Sequence, residues 1–282
     1  MGGKLSARER FRAPKNVKLR DEDACETPLR APAERETSSK DAIKEREREA
    51  TAALTKQIAT CQDMLYANRK HKLLLVLQGM DTSGKDGTIR ALFSEINPMG
   101  LRGVTFKAPL ASELAHDYLW RVHAQVPVKG EIAIFNRSHY EDVLITLVQD
   151  MIDEKECKRR YAHIRDFERL LAETGTVIVK IFLHISKDEQ RKRLQARLDD
   201  PDKQWKFDEG DLVQRLKWDG YQRAYERAIM ATDTDQAPWY IIPADSKTHR
   251  NLLISTLLLE IMDALKLSYP ARRPELSKLK VE

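Results

Sequence analysis

Cysteine is scarce in this chain: Cys25, Cys61 and Cys157 are the only three in 282 residues. Their odd number and wide spacing exclude a disulfide scaffold and a cysteine-rich zinc site. Also missing is any apolar run near the ~20 residues of a membrane span. The charged first ten residues contain no signal-peptide hydrophobic stretch. Together these absences predict a cytoplasmic protein with no membrane partner. A strong excess of one charge sign is lacking too. The net charge is +5, although a third of the residues are charged. With no recognised binding module, that mild excess argues against nucleic acid as a partner. It does suit a polyanion held in a local basic groove.

Glycine is sparse, 11 residues in all, yet three fall within residues 79–87, Gly-Met-Asp-Thr-Ser-Gly-Lys-Asp-Gly. The apolar run 72–78 precedes them and a helical pattern follows from Asp86. Strand, glycine loop and helix together form a P-loop, whose backbone N–H groups and lysine cradle phosphate at a helix N-terminus. Gly79, Met80, Thr82, Ser83, Gly84, Asp86 and Gly87 are therefore candidate phosphate-binding residues, with Lys85 reaching the reacting phosphates. Asp86 stands where most such loops place a Ser or Thr that binds magnesium. A carboxylate inside the loop repels phosphate unless a divalent cation intervenes, so Asp81 is the candidate metal ligand.

Around the loop the pattern alternates. Strands are predicted at 72–78, 103–107, 131–135, 176–184 and 239–243. Helices are predicted at 41–70, 86–96, 111–124, 138–152, 158–173, 187–198, 211–232 and 247–266. Near-continuous apolar strands separated by helices imply an α/β fold with a mostly parallel sheet covered on both faces. Residues 1–40, charged and carrying Pro14, Pro28 and Pro32, read as an extended arm. Residues 41–270 form one domain and 271–282 a tail. The stripe Leu54, Ile58, Cys61 and Leu65 predicts a helix face that docks on the domain or on a second copy.

Polar residues gather at the predicted strand ends, where ligands bind in such sheets. Asn136 and Arg137 follow the third strand, and Arg137 can fork onto phosphate oxygens. Glu141 opens the next helix, a position where acids also serve the helix dipole. His139 is expected to hydrogen-bond structurally, because transfer between phosphates requires no hydroxyl deprotonation. Arg193 and Arg197 share one helix face. Pro201 ends that helix, and Lys203 and Lys206 follow in a loop. A basic helix leading into a polar flap predicts a lid over about 190–210 that excludes water. Lys107 and Arg121 are further candidate cations.

Several long runs in order make a family resemblance specific: 79–87; Phe-Lys-Ala-Pro at 106–109; His-Asp-Tyr-Leu-Trp-Arg at 116–121; Phe-Asn-Arg-Ser-His-Tyr-Glu-Asp-Val at 135–143; Arg-Leu-Asp-Asp-Pro-Asp-Lys-Gln-Trp-Lys-Phe at 197–207; and Ala-Pro-Trp-Tyr-Ile-Ile-Pro-Ala-Asp at 237–245. From about Lys44 to Pro270 the chain resembles the polyphosphate kinase type 2 family. The resemblance implies a three-layer α/β/α P-loop kinase fold, thymidylate-kinase-like, with a helical lid and an N-terminal helical extension. It implies Mg²⁺-dependent (or Mn²⁺-dependent) transfer of phosphoryl groups between inorganic polyphosphate and AMP, ADP or ATP, in a homo-oligomer (dimer or tetramer). His139 within His-Tyr-Glu-Asp resembles the branch, class III, that phosphorylates both AMP and ADP. Carried over, Asp81 binds metal, Lys85 holds the phosphate chain, Arg137 bridges donor and acceptor, and Glu141 places metal or nucleotide. Arg193 and Arg197 close from the lid. Asn136 departs from relatives with an acid there. The rival readings are an ATP-dependent nucleotide kinase on the same fold and a non-catalytic nucleotide- or polyphosphate-binding protein.

Overall fold

A computed structural model of the protein describes residues 5–31, 38–279 and 281. Its centre is a parallel sheet of β1 (Lys72–Gln78), β2 (Leu101–Thr105), β3 (Ile132–Asn136), β4 (Thr176–His184) and β5 (Trp239–Pro243). The strand order is β2-β3-β1-β4-β5, and every pairing is parallel. Leu73 to Leu77 of β1 are fully buried, because the strand is covered above and below; each such leucine contributes roughly 2 kcal/mol.

The helices are α1 (Ala7–Phe11), α2 (Lys40–Asn68), α3 (Lys85–Phe93), α4 (Ala111–Leu114), α5 (Trp120–His123), α6 (Ile145–Val148), α7 (Glu154–Glu173), α8 (Lys187–Asp199), α9 (Glu209–Leu216), α10 (Trp218–Thr232) and α11 (Lys247–Ala264). On one face, Leu74, Val76, Phe135 and Phe182 pack against Ile164 of α7 and Ile229 of α10. On the other, Leu73, Leu75, Leu77 and Ile134 pack against Ile58, Leu92 and Leu257 of α2, α3 and α11. Two apolar layers on one sheet make the expected α/β/α sandwich. Ile58 and Leu65 of the α2 stripe are buried within this chain, so that face docks on its own domain.

Three predicted helices are broken. The 111–124 stretch divides into α4 and α5, with Asp117 Oδ1 accepting from the Leu119 N–H at 2.9 Å as in a turn. The 138–152 stretch begins as a 3-10 turn, His139–Val143, before α6. The 211–232 stretch divides at Lys217 into α9 and α10.

The arm is corrected by the structure. Residues 1–4 and 32–37 lie outside the described residues, but α1 carries a capping box between Ser6 and Glu9, and Phe11, Ala13, Val17 and Ala24 are buried. The Ala13 N–H donates to the Trp239 carbonyl at 2.9 Å, and Arg12 bridges antiparallel to Tyr240. Sparse large apolar residues concealed this docking; the exposed edge of β5 supplies the reason for it, because an uncovered strand edge is unsatisfied. Residues 271–276 are exposed.

The chain leaves the adjacent C-terminal ends of β1, β3 and β4 towards different elements. Such divergence opens a crevice at the strand ends.

Candidate active site

The loop after β1 owes its shape to residues that tolerate left-handed backbone. Gly79 and Gly84 have φ of +151° and +104°, and a Cβ at Gly84 would lie 1.8 Å from Nη1 of Arg250. Thr82 adopts φ 63° despite its branched side chain, a strained conformation of the kind that gathers at functional sites. Lys85 opens α3 and folds its ammonium back onto the loop, donating to the carbonyls of Gly79 (2.7 Å) and Met80 (3.4 Å). Burial lowers its pKa, opposed chiefly by the Asp81 carboxylate. The hydroxyls of Thr82, Ser83 and Thr88 are buried without a hydrogen-bond partner. Buried polar groups demand partners, and all three belong to the loop or to the first turn of α3.

Arg137, the first residue past β3, also has a left-handed backbone, φ 62°. Its Nη2 donates to Asp81 Oδ1 at 3.0 Å. Its pKa is raised: burial opposes the charge, but the Glu141 and Asp81 carboxylates outweigh it. Glu141 is raised by burial, against the pull of Arg137 and Lys85 and a hydrogen bond from Gln78. Asp81, Lys85, Arg137 and Glu141 thus form one electrostatic cluster. Asn136 Nδ2 donates to Asp86 Oδ1 at 2.6 Å, tying the end of β3 to the first turn of α3.

The turn bearing Arg137 and Glu141 is anchored from below. Lys180 of β4 is fully buried and donates to Glu168 (2.6 Å), the Tyr140 hydroxyl (2.9 Å) and the Thr232 carbonyl (2.8 Å). His139 Nε2 lies 3.3 Å from Glu168 Oε1, a structural hydrogen bond with no exposed ring face.

Arg193 occupies a different place from the expected one. Rather than facing the crevice from a lid, it is buried beneath the phosphate loop. Nη1 donates to the Thr82 and Ser83 carbonyls (3.0 and 3.2 Å), Nη2 to those of Ala244 and Asp245 (2.7 and 2.8 Å), and Nε to Glu189 (2.8 Å). All its donor nitrogens are engaged, so it shapes the loop. Arg197 sits farther along α8, donating to the Lys206 carbonyl at 3.1 Å and lying 3.4 Å from Asp211. Lys203 is exposed and pairs with Asp200; Lys206 lies over the exposed Trp205 ring. Arg121 is buried, donates to the Lys107 carbonyl at 2.8 Å and is 3.8 Å from Asp142. It braces the β2 loop against the Arg137 turn, and the Lys107 side chain is exposed.

Two residues escaped sequence reasoning. Arg250 of α11 is buried and donates to the Ser83 carbonyl at 3.0 Å; burial, then Arg193, lowers its pKa to about 9. None of the described carboxylates pairs with it, so a second guanidinium stands behind the loop. An arginine in the first turn of the helix after β5 was the available signal. Asp211 of α9 is raised to about 6, first by burial and then by repulsion from Asp81. Its signal was the acid in the flap after Trp205. No three His, Cys, Asp or Glu side chains gather into a metal-binding group among the described residues. Such a sparse carboxylate set fits magnesium, which is held by one or two carboxylates together with phosphate oxygens and water.

A family model described as polyphosphate kinase 2 matches residues 41–270. The chain belongs to the polyphosphate kinase 2 family. It is 52% identical over 247 residues to the AMP/ADP-polyphosphate phosphotransferase of Meiothermus ruber, covering 88% of this chain and 92% of that one. It is 44% identical over 253 residues to the ADP-polyphosphate phosphotransferase of Rhodopseudomonas palustris, covering 84% and 88%. The crystal structure of polyphosphate kinase 2 from Arthrobacter aurescens TC1 superposes with a TM-score of 0.88 at 40% identity, covering 98% of this chain and 94% of that chain. The parallel α/β/α fold is thus that of a polyphosphate kinase 2. Among the described residues no helix is long and apolar enough to cross a membrane.

Proposed function

We propose that this protein transfers phosphoryl groups between inorganic polyphosphate and adenine nucleotides, carrying AMP to ADP and ADP to ATP. The observation that supports it is the single cluster of Lys85, Arg137, Asp81 and Glu141 at the glycine loop and the end of β3. In each transfer a P–O–P bond of the donor chain breaks, and an oxygen of the nucleotide's terminal phosphate bonds to the released phosphorus. The acceptor oxygen is already anionic at neutral pH, so no general base is required. The difficulty is charge, since two phosphate groups repel and the transferring group is anionic as well.

Lys85 and Arg137 neutralise and align those oxygens. Glu141 keeps Arg137 charged and aimed, and the N-terminus of α3 adds its dipole. Asp81 and Asp211 would hold Mg²⁺ or Mn²⁺, which when bound supplies charge neutralisation across the phosphate oxygens. The backbone N–H groups of Thr82, Gly84 and Lys85 receive the donor, while that of Ser83 donates to the Met80 carbonyl at 3.0 Å; Asn136 and Asp86 stand at its margin. Lys203, Lys206 and Arg197 lie on the flap that closes and excludes water. We further propose a cytoplasmic homo-oligomer of the class that accepts both AMP and ADP.

The test supplies AMP or ADP with polyphosphate and Mg²⁺ in the absence of ATP. Formation of ADP and ATP is expected, and no turnover overturns the reading. Turnover of ADP but not AMP removes the class assignment, and a monomeric mass in solution removes the oligomer.

A further inference from the structure

Away from the strand-end cluster, a groove of about 680 Å³ runs between α2, α3 and α11. Arg48 and Lys56 of α2 and Lys247 of α11 supply its cations, and Glu95 is its one carboxylate. Thr51, Thr55, Ser94, Thr248 and Asn251 add polar lining. Arg48 also pairs with Glu45 at 2.6 Å, but both side chains are largely exposed, and such pairs yield readily to another anion. No described carboxylate lies within ion-pair distance of Lys56 or Lys247.

The groove adjoins the phosphate loop electrostatically. The charges that bear most on Lys247 include those of Arg193, Arg250 and Lys203, opposed by Glu189. Arg193 and Arg250 both donate to the Ser83 carbonyl at the back of that loop. Asn251, in the groove wall, accepts from Arg250 at 2.9 Å. Along α3, from Lys85 to the groove residue Ser94, the helical rise is about 13 Å. Positive charge therefore continues from the loop through Lys247 to Arg48 and Lys56. A nucleotide has no need of such a track, and a long chain of phosphates does.

We infer that the groove lined by Arg48, Lys56 and Lys247 is a distal subsite for the unreacted length of a polyphosphate chain. This rests on the proposed reaction. The subsite binds units far from the bond that breaks, so it strengthens capture of long chains and leaves the chemical step alone. Glu95 sets an upper limit on its affinity.

The experiment compares long-chain polyphosphate with tripolyphosphate as donors for the wild type, a triple variant (Arg48→Ala, Lys56→Ala, Lys247→Ala) and Glu95→Gln. All four positions lie outside the catalytic cluster, and the three substituted cations are on exposed side chains. For the triple variant the KM for long chains is expected to rise roughly tenfold, with kcat and the KM for tripolyphosphate within about twofold. Glu95→Gln is expected to lower the long-chain KM. Direct binding of long-chain polyphosphate should lose salt dependence in the triple variant, because fewer counter-ions are displaced. An unchanged long-chain KM, or equal losses for both donors, overturns the subsite. A wild type inactive with both donors instead overturns the proposed function, and the binding measurement then still decides whether the groove holds polyphosphate.

Discussion

Nη2 of Arg137 lies 3.0 Å from Oδ1 of Asp81, joining the turn after β3 to the loop after β1. Arg137 holds this position with a left-handed backbone, φ 62°, which costs a non-glycine residue roughly 1 kcal/mol. Glycine at 137 escapes that cost and alanine does not. Both Arg137→Gly and Arg137→Ala should lower kcat/KM by roughly 10²–10⁴. In urea melts, however, the glycine variant should be the more stable of the two by about 0.5–1 kcal/mol. Equal stabilities would show that the conformation is unstrained.

Arg193 satisfies four carbonyls from two separate segments, residues 82–83 and 244–245, so its removal should act on folding first. Arg193→Ala is expected to lower stability by about 2–4 kcal/mol, since a buried network loses its donor. The KM for nucleotide and for polyphosphate should rise together as the phosphate loop relaxes. A variant of wild-type stability with only kcat reduced would instead place Arg193 against the substrate.

The Lys180–Glu168 pair lies wholly inside the protein, where one charge without the other is severely penalised. Lys180→Met should cost about 3–5 kcal/mol, and adding Glu168→Gln should restore part of that loss. Thermal melts of the two single variants and the double variant measure the coupling. Simple additivity would deny that the two charges compensate one another.

Asp211 carries a pKa near 6 instead of the ordinary 3.8. A raised carboxyl destabilises the fold above its folded value and is neutral in both states below the unfolded one. The penalty is therefore full above about pH 6 and vanishes as pH falls through 3.8. Asp211→Asn should raise stability by about 1 kcal/mol at pH 8, after allowance for solvent screening, and by nothing at pH 3.5. The same variant should need more Mg²⁺ for half-maximal activity. A stability gain independent of pH would exclude the buried, repelled charge as its source.

The parallel sheet was readable because β1 and β4 are unbroken apolar runs and the polar residues begin where those runs stop. The Gly79–Gly87 loop was readable because its backbone permits few other residues. Local hydrogen bonding at Asp117 and Ser138 divided helices that apolar spacing alone would continue, since spacing carries no information about a side chain capping its own backbone. Arg193 was misplaced for a related reason. Its sequence neighbourhood is basic and suggests a phosphate as partner, while beside Glu189 on its own helix its partners are carbonyls brought in from residues 82–83 and 244–245 by the fold. Arg250 was hidden by the apolar pattern of α11, where one buried arginine reads as part of a solvated face.

The segment that runs over β5 closes off one margin of the sheet. Strand-to-strand joining of two copies is then left with β2, whose outer side no described strand occupies. Any assembly that avoids that margin has to be made by helices, and its stability would depend on their side chains instead of on shared backbone ladders.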